Sequence, residues 1–319
     1  VSSKNIPVHT FGAHAKDLWE TMKNPTTLYL LFFVAGNGTI SQLTPITYNY
    51  VQYTLINLTN LEAGIQVIFT YLGVAVGVKI FQVFFLNKNW QTTLYLSFGT
   101  MQIMGLAWIL CYWNVAGLLN PWFTIFITVN QQLAAGISQV LFSMAVIELA
   151  KPGQEAITYE LIVSVANSAL TVCVIVATQL LTPFDALTCS EGGDDDGVCK
   201  GNQVNTYSFS TYRHTDGPQK FTTYSLFVLG ISLASLFVFT PFLPRTKQQC
   251  AEWKELGESG RFWLSPTATG ALSAAIAVIL VGYVTVASVA ILDPDTSCME
   301  VFGGSGCDTL SASNATARF

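Results

Sequence analysis

Seven apolar stretches dominate this chain, at about 27–56, 62–86, 91–113, 121–149, 157–182, 222–243 and 267–292. Each exceeds the roughly 18 to 20 residues that an α-helix needs to cross a hydrocarbon core of about 30 Å. No water is available in that core to satisfy backbone N–H and C=O groups, so such a chain must cross the bilayer as helices. Composition agrees: 10% of residues are charged, against about 25% in an ordinary soluble domain. The expected fold class is all-α, a polytopic transmembrane helical bundle of about seven spans.

The same pattern divides the chain. Residues 1–26 read as a polar N-terminal segment and 27–244 as a six-helix bundle interrupted by a polar loop, 183–221. A polar linker follows at 245–266, then an additional span at 267–292 and a polar tail at 293–319. Pro45 is expected to kink the first span, because it removes one backbone bond and clashes with the preceding turn. With the N-terminus cytoplasmic, ten of the 14 Lys and Arg residues fall inside or near the inner face, as the positive-inside rule requires. The expected location is a multi-pass position in a plasma membrane or endomembrane.

Cysteines and sequons fit this topology. Cys189 and Cys199 lie in the outer loop and Cys298 and Cys307 in the outer tail, where disulfides persist. Pairing within each segment is the simplest of three connectivities. Cys111, Cys173 and Cys250 are expected to be free thiols. Asn57-Leu-Thr and Asn314-Ala-Thr are outer glycosylation candidates, whereas Asn37-Gly-Thr falls inside a span.

Several function classes have no support. The net charge is −5 and no basic stripe is present, so nucleic acid is not an expected partner. His9, His14 and His214 flank the spans without metal-ligand spacing, and no phosphate loop, nucleophile elbow or zinc-protease motif occurs. Neither an enzyme nor a metal or cofactor site is expected.

Polar side chains inside spans cost energy unless they face other helices or water, so their helical phase is informative. Asn37, Ser41, Thr44 and Tyr48 share one face of the first span, and Gln66, Thr70, Gly73 and Gly77 one face of the second. Gln132, Gly136, Gln139 and Ser143 repeat the spacing in the fourth beside Asn130 and Gln131, as do Glu160, Ser164, Asn167 and Thr171 in the fifth. Such stripes form either a polar lumen or tight packing seams. The expectation is a solute path along Asn37, Ser41, Thr44, Tyr48, Asn130, Gln132, Gln139 and Asn167, with Gly73 and Gly77 in a packing contact.

Between the fourth and fifth spans runs ELAKPGQEAITYEL. Pro152 and Gly153 reverse the chain there, and Glu155 and Glu160 open the next helix at its positive dipole end. The residues Pro152-Gly153-Gln154-Glu155-Ala156, Tyr159-Glu160-Leu161, Ser164 and Asn167 resemble the turn between the tenth and eleventh helices of the folate-biopterin transporter family, in the major facilitator superfamily. The likeness covers about residues 27 to 244 and matches that family's C-terminal six-helix half.

The resemblance implies a secondary active transporter of two six-helix halves that rock about a central site, moving folate, biopterin or a related organic solute with proton coupling. Its partners would be that solute, membrane lipid and an N-terminal half outside this sequence, which would supply any cation for an anionic substrate. Glu148, Lys151, Glu155, Tyr159 and Glu160 are then candidates for an inner gate and proton path. Two rival readings are a seven-helix receptor, which needs an outside N-terminus against the charge bias, and a non-transporting membrane scaffold.

Overall fold

The computed structural model describes residues 11–56, 58–150, 155–181, 184, 217–259 and 263–292. All regular structure among them is helical: α1 (Phe11–Met22), α2 (Pro25–Gly36), α3 (Thr47–Tyr50), α4 (Asn60–Ile80), α5 (Trp90–Tyr112), α6 (Pro121–Leu149), α7 (Glu155–Gln179), α8 (Gly217–Phe239), α9 (Lys247–Glu258) and α10 (Pro266–Leu292). Widened π-helical turns extend α2 over Asn37–Ser41, α3 over Val51–Leu55 and α4 over Phe81–Phe85. Among the described residues, six helices are long and apolar enough to cross a membrane: Asn60–Phe85, Trp90–Tyr112, Pro121–Leu149, Glu155–Gln179, Gly217–Phe242 and Pro266–Ala290.

The seventh expected span, the first along the chain, is broken rather than kinked. The α2 helix ends in its π turn, residues 42–46 leave the helix, and α3 resumes at Thr47. Pro45 supplies the reason, since its ring fixes one φ, lacks an N–H and disfavours helical geometry at Thr44. Elsewhere the helices start where side-chain oxygens can accept their free amides. Asn24 accepts from Thr26 at 3.2 Å, Asn89 from Gln91 at 3.0 Å and Asn120 from Phe123 at 2.9 Å. Thr59 and Glu62 exchange bonds at the head of α4. Each cap stabilises its helix by about 1 kcal/mol.

The broken span sits at the centre of the bundle. α2 packs on α7 and α10, its π turn on α7 and α8, α8 on α5, and α5 on α6, which in turn holds α4. The α4–α6 contact depends on glycine. A Cβ on Gly73 would stand 2.8 Å from the Val129 carbonyl oxygen, one on Gly77 would strike that of Leu133, and one on Gly136 would lie 2.5 Å from that of Val74. The expected small-residue contact of Gly73 and Gly77 is present, and Gly136 belongs to it too.

One end of the bundle, the base, carries the N-termini of α2, α5 and α7 and the C-terminus of α6. Both segments expected to be simple polar stretches contribute a helix there. α1 packs on α10, with Trp19 and Lys23 against Gly270, and α9 buries Cys250 and sets Trp253 against Tyr29 at 5.2 Å. The opposite end, the crown, carries the tight turn Val115–Gly117, in which Asn114 and Ala116 adopt positive φ.

Candidate functional site

Two cavities are stacked along the bundle axis. The base cavity, of about 400 Å³, is walled by Phe33, Asn37 and Gln42 of the first span, Phe98 of α5, Gln139 and Ser143 of α6, and Tyr159, Asn167 and Leu170 of α7. The crown cavity, of about 500 Å³, is walled by Gln42, Thr44, Tyr48 and Gln52, by Gln66 of α4, Trp108 of α5, Gln131 and Gln132 of α6, and Leu170 and Cys173 of α7. The unwound residues 42–46 lie between them. Non-helical backbone at membrane depth is tolerated where it is buried in protein or lines a cavity, and this segment does both.

The walls are uncharged. No Asp, Glu, Lys, Arg or His lines either cavity among the described residues. Amides replace them, each offering two donors and an acceptor. Thr128 ties the crown together, its hydroxyl oxygen accepting from Gln52 at 3.3 Å and Gln66 at 3.4 Å. Tyr48 stacks on Trp108 with centroids 4.7 Å apart and donates to the Gly105 carbonyl at 3.0 Å, so the aromatic floor of the crown cavity is fixed. Asn37 Oδ1 and Trp108 Nε1 are buried with no hydrogen-bond partner. Such an orphan costs about 1 to 3 kcal/mol unless something meets it.

Six of the eight residues expected on a solute path line a cavity: Asn37, Gln139 and Asn167 in the base, Thr44, Tyr48 and Gln132 in the crown. Ser41 does not. It is fully buried, 2.8 Å from the hydroxyl of Ser235, and its carbonyl accepts from Ser232. Asn130 does not either, because its amide donates back to the Phe126 carbonyl at 2.8 Å. Ser41 belongs to a buried seam between the broken span, α5 and α8, where Gln102 donates to Ser232 at 2.8 Å and Thr47, Tyr112 and Ser225 share a hydroxyl triad.

Gln42 was not among the expected residues, though it lines both cavities, and Gln131, beside the fourth-span stripe, lines the crown cavity. The stripe through Ser41 assumes an unbroken helix, and unwinding after Ser41 turns Gln42 into the groove instead. The seam serines of α8 recur at 225, 232 and 235, a helical spacing visible in the sequence.

The gate candidates separate. Tyr159 lies in the base cavity wall. Glu148 pairs at 2.7 Å with Lys247 of α9. Glu155 and Glu160 are exposed on α7, and the polar face continues through Ser164, Asn167 and Thr171, all exposed. Lys151, Pro152, Gly153, Asn57, Asn314, Cys189, Cys199, Cys298 and Cys307 lie outside the described residues. Cys111 and Cys173 are free thiols, and Cys111, Cys173 and Cys250 are all buried.

Neither a curated protein nor a solved structure matches this chain. A family model does: that of the BT1 family, the folate-biopterin transporters, over residues 7–195, from before α1 to beyond α7. These residues make up more than half of the chain, and the broken first span and the cavity-lining helices α4, α5, α6 and α7 fall within them. The chain is an integral, multi-pass membrane protein that belongs to the folate-biopterin transporter family.

Proposed function

We propose that the chain forms one half of a secondary transporter that moves a folate, a biopterin or a related organic solute by alternating access. The observation that carries the reading is the uncharged, amide-walled groove that runs through both cavities past the break in the first span. In such transporters the site lies near the midplane beside discontinuous helices, and one bundle rocks against another around it. Amides facing Phe33, Phe98 and Tyr159 suit a planar heterocycle, whose edge donates and accepts while its face stacks. With no cation among the described residues of the walls, the charge of an anionic tail is met by another part of the transporter.

The exposed polar face of α7 supports that second part. Ser164, Asn167 and Thr171 lie in a spanning helix, where lipid contact is unfavourable for polar groups. Another helical body against this face removes the cost. In this reading the base is cytoplasmic, Glu148, Glu155 and Glu160 form the gate at that end, and proton coupling rests on those carboxylates, since none lines the cavities among the described residues.

The test is uptake of labelled folate and biopterin into vesicles containing the protein. Gln139→Leu and Asn167→Leu are expected to raise the KM for the carried solute. Unchanged kinetics in both variants would remove the groove from the solute path.

A further inference from the structure

The two cavities share two walls. Gln42, at the point where the first span unwinds, and Leu170, midway along α7, line both. Toward the base from them come Asn37 and Phe33 on one side and Asn167 and Val163 on the other. Toward the crown come Thr44 and Tyr48, then Cys173 and Val174. The first span and α7 therefore approach the groove at the same level with one amide and one branched aliphatic side chain. Leu170 is 45% exposed and Gln42 half-buried, so both project into the groove and neither is locked in the core.

From this placement we infer that Gln42 and Leu170 form a sill that divides the groove into two compartments, which a solute occupies in turn. The inference rests on the transporter reading and adds the residues that control passage. The sill is chemically two-sided. The isobutyl group of Leu170 sets an apolar edge between the two compartments, while the Gln42 amide offers a hydrogen bond to a heterocycle edge from either compartment. Gln42 is also joined to the helical part of its span through its backbone N–H, which donates to the Asn37 backbone carbonyl at 3.1 Å. Beyond it the backbone is non-helical up to Ile46, so the sill residue stands where the span can bend without breaking a regular ladder.

Thiol accessibility tests the sill without a known substrate. Thr44→Cys places a thiol in the crown compartment and Ser143→Cys one in the base compartment. Each variant, in vesicles of both orientations, is treated with a membrane-impermeant methanethiosulfonate, and modification is read at that residue by peptide mass spectrometry. The expected result is one-sided labelling: Thr44→Cys from the crown face, Ser143→Cys from the base face. Adding Leu170→Ala is expected to abolish the sidedness of both, and Leu170→Met to preserve it. Equal labelling from both faces with Leu170 present overturns the sill, as does sidedness that survives Leu170→Ala. Should Leu170→Ala fail to reach the membrane, Gln42→Ala is read by the same two criteria. One-sided labelling lost on removing Leu170, without uptake of folate or biopterin, keeps the sill and removes the solute assignment. Uptake with two-sided labelling does the reverse.

Discussion

The Lys247 ammonium stands 2.7 Å from the Glu148 carboxylate and so ties α9, outside the spans, to the last turn of α6. The pair is exposed, and such a pair contributes only about 0.2 to 1 kcal/mol to stability. Its significance is positional, because α9 also packs on α2 and the pair thereby joins two cavity-bearing elements at the base. Glu148→Lys is expected to slow uptake with little change in thermal stability, and the exchange Glu148→Lys with Lys247→Glu to restore it. Vesicle uptake rates for the single and double variants check this; a double variant no better than the single one counts against a latch.

The α4–α6 contact predicts opposite outcomes for two glycines. Gly77→Ala drives a methyl group onto the Leu133 carbonyl, and forcing helices apart in this way costs about 1 to 3 kcal/mol. Gly230 of α8 has nothing within 4 Å of a built Cβ. There Gly230→Ala removes the backbone entropy penalty of a helical glycine and gains up to about 1 kcal/mol. Thermal midpoints in detergent should fall for the first and rise for the second.

At the crown, Ala116 adopts φ 52° and ψ 26° inside the tight turn after α5. An L-residue with a Cβ pays about 1 to 2 kcal/mol in that left-handed region, which glycine avoids. Ala116→Gly is expected to raise the thermal midpoint, and Ala116→Val to lower it. The reverse order of midpoints would show the turn to be relaxed in a different conformation.

Apolar run length was enough to place the six continuous spans, since Pro121–Leu149 begins and ends where hydropathy put it. The membrane turns every long apolar run into a helix, so little else could form. The first span escaped this logic. A single proline permits a kink, a π bulge or full unwinding, and the choice was settled by contacts with α7 and α8 that lie more than a hundred residues away. That choice decided the site, because it exchanged Ser41 for Gln42 in the groove. The helices α1 and α9 were hidden by their polar composition, which suits an exposed stretch as well as a helix lying across the base. Exposed Glu155 and Glu160 were legible as helix-start acids, whereas the Lys247 partner of Glu148 could not be found by spacing at all.

Asn37 and Ser41 sit one turn apart and give the sharpest test of groove against seam. Asn37 Oδ1 is buried without a partner in the base cavity wall, while the Ser41 hydroxyl is 2.8 Å from that of Ser235. Removing an unmet polar group relieves its desolvation cost, but removing one member of a buried pair strands the other. Asn37→Leu is therefore expected to leave the thermal midpoint unchanged or higher and to raise the KM for the carried solute. Ser41→Ala is expected to lower the midpoint by the equivalent of about 0.6 kcal/mol, the average for hydrogen bonds between spanning helices, and to leave the KM alone. Measuring both quantities on both variants separates the roles. If Ser41→Ala shifted the KM and Asn37→Leu only the midpoint, the groove would run along the α8 side of the broken span, and the amide walls would be a packing seam.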